Sequence, residues 1–383
     1  MNTVRLGLIG LGNIGRFHAD YLLNGKVNRC ELVAVSDAIP ANLERYPQLK
    51  SFVKSEDLIR SGLVDAVLIA TPHYFHTTVG IDALQQGLHV LVEKPLSVHK
   101  ADCERLLAAH RNPQQVFAAM FQMRTDPRFK KLKSLIQNGE LGELVRANWI
   151  ITDWYRTEIY YASGGWRATW KGEGGGVLLN QCPHNLDLFL WLCGPPSRVN
   201  GFCQLGRYHN IEVEDNVTAY LEWPNQATGV FITSTGEAPG TNRFEIAGER
   251  GKVVLENNQI TFTRNEASMF EFSRTCKGGF TKPDVWHVGV PFENIGGQHT
   301  EITQNFVDAI LDGAPLIAPA SEGVYSVELA NAILFSSLEG KAIHLPLDAA
   351  AYERKLNQLI AESKFEKKVV EVQVQDFAKS FNR

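Results

Sequence analysis

The chain has 383 residues, 44% of them hydrophobic and 21% charged, with a formal net charge of -4. That length exceeds what one hydrophobic core usually serves, so two domains are expected. The lack of basic surplus argues against nucleic acid as the principal partner, and no apolar run reaches the roughly 18 residues of a membrane span.

The opening MNTVRLGLIGLGNIG lacks the charged start and cleavage site of a signal peptide, and its apolar residues read as a first strand. NIGRFHADYLLNG predicts a helix closed by glycine, and CELVAVSD a second strand. LVDAVLIATP and LHVLVEKP are further strands, with the helical FHTTVGIDALQQG between them; the helical VHKADCERLLAAHR and the strand QVFAAMF follow. Continuous apolar strands alternating with helices predict a doubly wound parallel sheet covered on both faces. Near residue 123 the pattern changes. After the helical DPRFKKLKSLIQNG, stretches such as NVTAYLEWPNQATGVFITSTG and RFEIAGERGKVVLENNQITFTR alternate and are punctuated by Pro224-Asn225 and Arg250-Gly251. A mainly antiparallel sheet is expected there, then two helical patterns, TEITQNFVDAILDG and GVYSVELANAILFSSLEG, and a charged tail. The expected domains are residues 1–123, binding a nucleotide, and 124–383, binding a substrate and carrying oligomer contacts.

Gly10-Leu11-Gly12-Asn13-Ile14-Gly15 matches G-x-G-x-x-G between a strand and a helix, the context that makes it a dinucleotide fingerprint. Gly10, Gly12, Asn13 and Ile14 would approach the pyrophosphate at a helix N-terminus. Asp37 closes the second strand, where a carboxylate accepts ribose hydroxyls and repels a 2′-phosphate; Ala38 follows, and Arg45 is the nearby basic residue. NAD is therefore expected over NADP. Six cysteines (Cys30, Cys103, Cys182, Cys193, Cys203, Cys276) include no C-x-x-C pair, which argues against disulfides and structural zinc and for a cytoplasmic protein. His73 and His76 share i, i+3 spacing, but no cysteine or carboxylate completes a metal set, and no metal is expected.

Lys94, at the end of a buried strand, points into the crevice where open α/β sheets bind ligands, and there it can contact a reacting hydroxyl, with Glu93 tuning it. His184 suits proton exchange near neutrality, and Asp187 stands one helical turn further on. The pair reads equally as a satisfied core histidine and its partner. The glycine run at 174–176 is expected to let substrate and cofactor come close. DWYRTEIYYASGGWRATW reads equally as a carbohydrate-stacking wall and as core, and KFEKK as a solvated face.

Gly10 to Gly15, ATPHYFH at 70–76, EKP at 93–95, GGGVLLNQCPHNLDLFLWLCG at 174–194 and LFSSLEGKAIHLP at 334–346 together resemble the Gfo/Idh/MocA family of oxidoreductases. The resemblance implies a Rossmann domain followed by an α/β domain whose open, mainly antiparallel sheet forms a homodimer or homotetramer interface. It places Thr71, Pro72 and His76 along the cofactor, Gln122 at the nicotinamide ribose, and Arg167 in the active site from the second domain; it also implies a cis Lys94-Pro95 peptide. In one respect the chain departs from the family. Asn180 stands where an aspartate often orients the histidine, and an amide cannot offset charge on the ring.

The expected function is an NAD-dependent dehydrogenase acting on a secondary hydroxyl of a sugar, glycoside or cyclitol. Lys94 and His184 would handle the proton, while Asn180, Asp187 and Arg167 bind substrate; Glu93, Lys94 and Arg167 would also border the cofactor. A closed-cycle NAD enzyme, such as a sugar epimerase or glycoside-cleaving enzyme, is the alternative in the same fold, and a non-catalytic NAD-binding regulator the alternative outside enzymes.

Overall fold

The structure, a computed structural model, describes residues 2–293 and 296–370. Six strands form the first sheet: β1 (Val4–Ile9), β2 (Cys30–Ser36), β3 (Lys50–Phe52), β4 (Ala66–Ile69), β5 (His89–Val92) and β6 (Phe117–Ala119). They run parallel in the order β3-β2-β1-β4-β5-β6. All of β4 and most of β1 and β5 are buried, as strands sandwiched between helices must be. The order reverses between β1 and β4, which opens a crevice beyond their carboxyl ends.

Nine strands form the second sheet: β7 (Leu144–Ile151), β8 (Arg198–Leu205), β9 (Glu214–Glu222), β10 (Thr228–Ser234), β11 (Asn242–Gly248), β12 (Gly251–Glu256), β13 (Gln259–Asn265), β14 (Val285–Val290) and β15 (Ile343–His344). The expected hairpins form: Glu222 pairs with Thr228 across Pro224-Asn225, and Gly248 with Gly251. The sheet is antiparallel except where β7 and β10 run parallel. Trp149, Phe231 and Phe244 line its inner face against Phe189 of the helix Pro183–Cys193, with Trp149 and Phe244 stacked at 4.3 Å. The helix Ala320–Glu339 lies on the same face, so close that a Cβ on Gly201 would stand 2.1 Å from Ile333 O.

The first core is not built from the first third of the chain alone. Ile302, Phe306 and Val307 of the helix Gln298–Asp312 join it, as does Val327, and Ala119 N donates to Ala318 O at 3.0 Å on the free edge of β6. This return of the chain holds the two sheets on either side of the crevice. Among the described residues no helix is long and apolar enough to cross a membrane.

Candidate active site

The glycine turn follows β1. Gly10 has φ +95°, and a Cβ on Gly15 would lie 1.9 Å from Gly10 O, so both positions require glycine. A Cβ on Gly12 would meet nothing within 4 Å, so the middle of the turn faces open space. The helix Asn13–Leu23 begins there with no side chain capping it, which leaves the Asn13 and Ile14 end free to receive a pyrophosphate. Asp37, just past β2, is fixed against the turn: Oδ2 accepts from Leu11 N at 2.6 Å and Oδ1 from Ile39 N at 2.8 Å.

Thr71 and Pro72 follow β4 at the crevice edge. His76, expected along the cofactor, has both ring nitrogens engaged by the protein. It is fully buried, with its ring nitrogens 2.8 Å from Pro95 O and 2.9 Å from Thr71 O. It faces inward from the helix His73–Gln85 and ties the loops after β4 and β5 together.

Glu93 and Lys94 close β5, and the Lys94-Pro95 peptide is cis. Glu93 Oε1 lies 2.7 Å from His18 Nε2; His18 Nδ1 is 2.7 Å from the Tyr21 hydroxyl, itself 2.7 Å from Thr303 Oγ1. Two helices thus anchor the buried carboxylate. Burial works to raise its pKa, but the His18 hydrogen bond and charge, with His299 and Lys94, bring it down to about 2. Lys94 Nζ donates to Asn180 O at 3.1 Å. Burial lowers the Lys94 pKa, Glu93 and Glu173 oppose that shift, and Arg167 and Arg156 add to it.

His184 stands in the first turn of the helix Pro183–Cys193. Gln122, just after β6, donates from Nε2 to His184 Nε2 at 3.1 Å, which assigns the ring proton to Nδ1. Burial, then the Lys94 charge, hold His184 well below the ordinary histidine value, so the ring is neutral at neutral pH. Asp187, expected to contact substrate, has both carboxylate oxygens taken by Arg124. Arg124 grips it with Nε to Oδ2 at 2.8 Å and Nη2 to Oδ1 at 2.6 Å, both side chains being 3% exposed. Three helical residues rotate a side chain by about 60° from its starting direction, enough to turn Asp187 from the crevice to Arg124.

The aromatic segment divides between core and wall. Tyr161, Ala168 and Trp170 are buried in the second core. The Arg167 guanidinium lies 4.8 Å from the centroids of both Tyr160 and Trp166, and Arg156 stacks on the Tyr160 ring at 5.1 Å. Arg167 Nη1 donates to the Tyr160 hydroxyl at 2.9 Å, and that hydroxyl donates to Asn180 Oδ1 at 3.3 Å. Trp166 meets His73 edge-on at 5.4 Å.

Two residues of the site escaped the sequence reading. Glu173, 1% exposed, accepts from Ala168 N at 2.6 Å and from Asn180 Nδ2. Its only local sign is an acid directly before a glycine run. Lys367, within the stretch expected to be a solvated face, is half-buried and donates to Arg167 O. Val370 N bonds Ala162 O at 3.0 Å, so the tail runs along the aromatic segment and turns Phe365 and Lys367 inward. Residues 371–383 of the charged tail lie outside the described residues. The glycine run also has a reason other than ligand approach. A Cβ on Gly176 would stand 1.9 Å from Glu214 O, and Glu214 Oε1 accepts from Gly176 N at 2.8 Å and Leu178 N at 3.1 Å. The run packs against β9.

Among the described residues, Thr71 Oγ1, His73 Nδ1, Gln122 Oε1, Gln181 Oε1 and His184 Nδ1 are buried without a partner. Arg156 Nε, Glu214 Oε2 and Arg264 Nε likewise have no hydrogen-bond partner among the described residues. Buried polar atoms are seldom left unsatisfied, and Thr71, Gln122 and His184, just past β4, just past β6 and in the first turn of the Pro183–Cys193 helix, would be satisfied by a polar ligand.

Comparison with known proteins agrees. Residues 4–121 match the oxidoreductase family with an NAD-binding Rossmann fold, and residues 129–254 match the GFO/IDH/MocA C-terminal domain. The chain is 25% identical over 368 residues to inositol 2-dehydrogenase of Corynebacterium glutamicum, an alignment covering 91% of this chain and 97% of that one. WlbA dehydrogenase of Bordetella pertussis, solved with NADH and UDP-GlcNAcA, superposes with a TM-score of 0.76 at 26% identity over 90% of this chain and 100% of that one. Levoglucosan dehydrogenase, solved with NADH and levoglucosan, shares the fold with a TM-score of 0.75 at 20% identity, over 90% and 100% of the two chains.

Proposed function

The chain belongs to the Gfo/Idh/MocA family of NAD-binding oxidoreductases acting on CH–OH groups, and from that premise we propose that it oxidises a secondary hydroxyl of a sugar, glycoside or cyclitol, or reduces the matching ketone, with Lys94 and His184 handling the proton. The observation that carries this reading is the half-buried Lys94 ammonium, hydrogen-bonded to Asn180 O, within electrostatic reach of a neutral His184.

NAD, when bound, supplies the acceptor for the substrate's hydride. The chain's residues do the rest. The Gly10-to-Gly15 turn, with Asn13 and Ile14, holds the pyrophosphate, and Asp37 the adenosine ribose. Thr71, Pro72 and Gln122 border the nicotinamide half. Lys94 Nζ in its neutral form takes the hydroxyl proton, while His184 hydrogen-bonds the same oxygen and orients it. Arg167, Tyr160 and Asn180 form the wall against which the polyol lies.

The pH dependence follows from the lowered Lys94 pKa. Oxidation needs the neutral amine, so kcat rises with pH and levels off once Lys94 is deprotonated, at a pH below its ordinary value of 10.5. Ketone reduction needs the ammonium and falls through the same range. A titrating limb at or above the ordinary lysine value would contradict the assignment.

Asp37→Ala is expected to reduce the NAD-over-NADP preference on the order of tenfold, the loss of one or two hydrogen bonds to a charged group. Titration of both cofactors reads this directly, and an unaltered ratio would remove Asp37 from ribose recognition.

The decisive assay follows NADH formation by absorbance, with NAD or NADP and a panel of inositols, free sugars, glycosides and sugar acids. A response confined to one polyol class with NAD supports the reading and names the substrate. Turnover by protein that already carries NAD, with none added, would move the enzyme to the closed-cycle alternative. The outward face of the second sheet supports a homo-oligomer: Phe202 is 60% and Tyr220 39% exposed, and Val230 and Ile232 are half-exposed beside them.

A further inference from the structure

We infer that Glu173 is a positioning residue of this active site: its carboxylate holds the Asn180 amide, Asn180 O holds Lys94 Nζ, and the charge that Glu173 brings lets Lys94 cycle between amine and ammonium. The inference rests on the dehydrogenase reading of the site.

Geometry carries it. The Asn180 side chain and carbonyl are all engaged here: Nδ2 donates to Glu173 Oε1, Oδ1 accepts from the Tyr160 hydroxyl at 3.3 Å and Gln181 Nε2 at 3.2 Å, and the main-chain oxygen accepts from Lys94 Nζ at 3.1 Å. Glu173 is itself immobilised. Ala168 N binds its other oxygen at 2.6 Å, and the glycine run beginning at the next residue is locked onto β9. A carboxylate 1% exposed is costly unless something compensates it. Glu173 has no ion pair within 4 Å among the described residues; burial raises its pKa, and Arg167, the bonds from Ala168 N and Asn180, and Lys367 act against that rise.

Those neighbours come from several elements. Glu173 faces Arg167, Lys367 and Lys94, with Tyr161 and Glu214 on its inner side. Lys94 faces Glu93, Glu173, Arg167 and Arg156, together with His73, His76, His184 and His299. When a substrate is oxidised, its C–H electron pair leaves with the hydride for the nicotinamide and its O–H proton becomes an N–H of Lys94. The new ammonium then stands among two arginines. Glu93 favours the ammonium most strongly and Glu173 next; Glu93 is held by His18, whereas Glu173 is linked to Lys94 through Asn180 alone. Glu173 therefore adds to Glu93 in offsetting the charge created in the step.

Glu173→Gln keeps the shape and removes the charge, and leaves one acceptor oxygen in place of the two that Asn180 Nδ2 and Ala168 N now use. It is expected to lower kcat at least ~10-fold with KM and NAD affinity nearly unchanged, and to move the pH limb of oxidation to lower pH, because Lys94 loses a charge that favours its ammonium. Adding Asn180→Asp to Glu173→Gln returns a carboxylate to the same contact and should recover most of the lost kcat. Asn180→Asp alone opposes two carboxylates and should be impaired. The basicity of Lys94 is read independently of turnover, by the pH dependence of its acetylation with acetic anhydride in the substrate-free protein. Glu173→Gln should make Lys94 react at lower pH, and the double variant should reverse this. An unchanged acetylation profile in Glu173→Gln, or a double variant no better than the single one, overturns the inference. Should wild-type protein oxidise no polyol, the dehydrogenase reading fails, while the acetylation profile still decides whether Glu173 governs Lys94.

Discussion

Replacing Lys94 by alanine is expected to lower kcat for NAD-dependent oxidation by roughly 10²–10⁴-fold, the range supplied by one positioned acid–base group, while leaving NAD affinity nearly intact. The separation follows from where the parts lie. The pyrophosphate and ribose contacts are assigned to the turn after β1 and to Asp37, which touch neither Lys94 nor its partners. Lys94 instead meets Asn180 O from across the crevice, so its loss removes the proton acceptor and one tie between the two walls. Lys94→Arg should fare little better, because a guanidinium stays protonated and cannot take the hydroxyl proton. Turnover measured by NADH absorbance and cofactor affinity measured by fluorescence quenching test the two halves separately. Retained turnover in Lys94→Ala would sink the catalytic assignment, and lost NAD affinity would recast Lys94 as a cofactor residue.

Arg124→Met should destabilise the fold by about 3–5 kcal/mol, the usual result of stranding one member of a buried ion pair. Both oxygens of Asp187 are held by Arg124, and water reaches neither side chain to any useful extent. Arg124 also donates to Ile317 O at 3.2 Å and pairs with Glu322. One guanidinium therefore joins the turn after β6, the Pro183–Cys193 helix and the start of the Ala320–Glu339 helix. Urea unfolding of Arg124→Met and Asp187→Asn reads the cost. A substrate role for Asp187 predicts the opposite pattern, with KM raised and stability unchanged in Asp187→Asn.

The nucleotide half was legible in the sequence because its determinants are local. Gly10 needs a positive φ, Gly15 must let a helix meet a strand, and buried β4 and β5 read as unbroken apolar runs; each is a property of a few adjacent residues. The hairpins of the second sheet were legible for the same reason, since turn chemistry and two-residue alternation are written within one segment. The parallel pairing of β7 with β10 was not, because it joins strands with two others between them in the chain.

At the site the division is sharper. Sequence by itself determined the dinucleotide turn, the acidic residue that follows β2, and the presence of a lysine at a buried strand end. Which charges meet was decided only by tertiary structure. Asp187 finds Arg124 63 positions away, Lys94 finds Asn180 86 positions away, and Lys367 reaches Arg167 across 200. Side-chain pairing over such separations leaves no periodic trace, and the helical spacing of His184 and Asp187 gave no sign that Arg124 would take the carboxylate. Glu173 shows the limit most plainly. Along the chain it is an acid before three glycines; in the fold, burial and the approach of Asn180 and Lys94 make it a second charge, beside Glu93, for the proposed proton transfer.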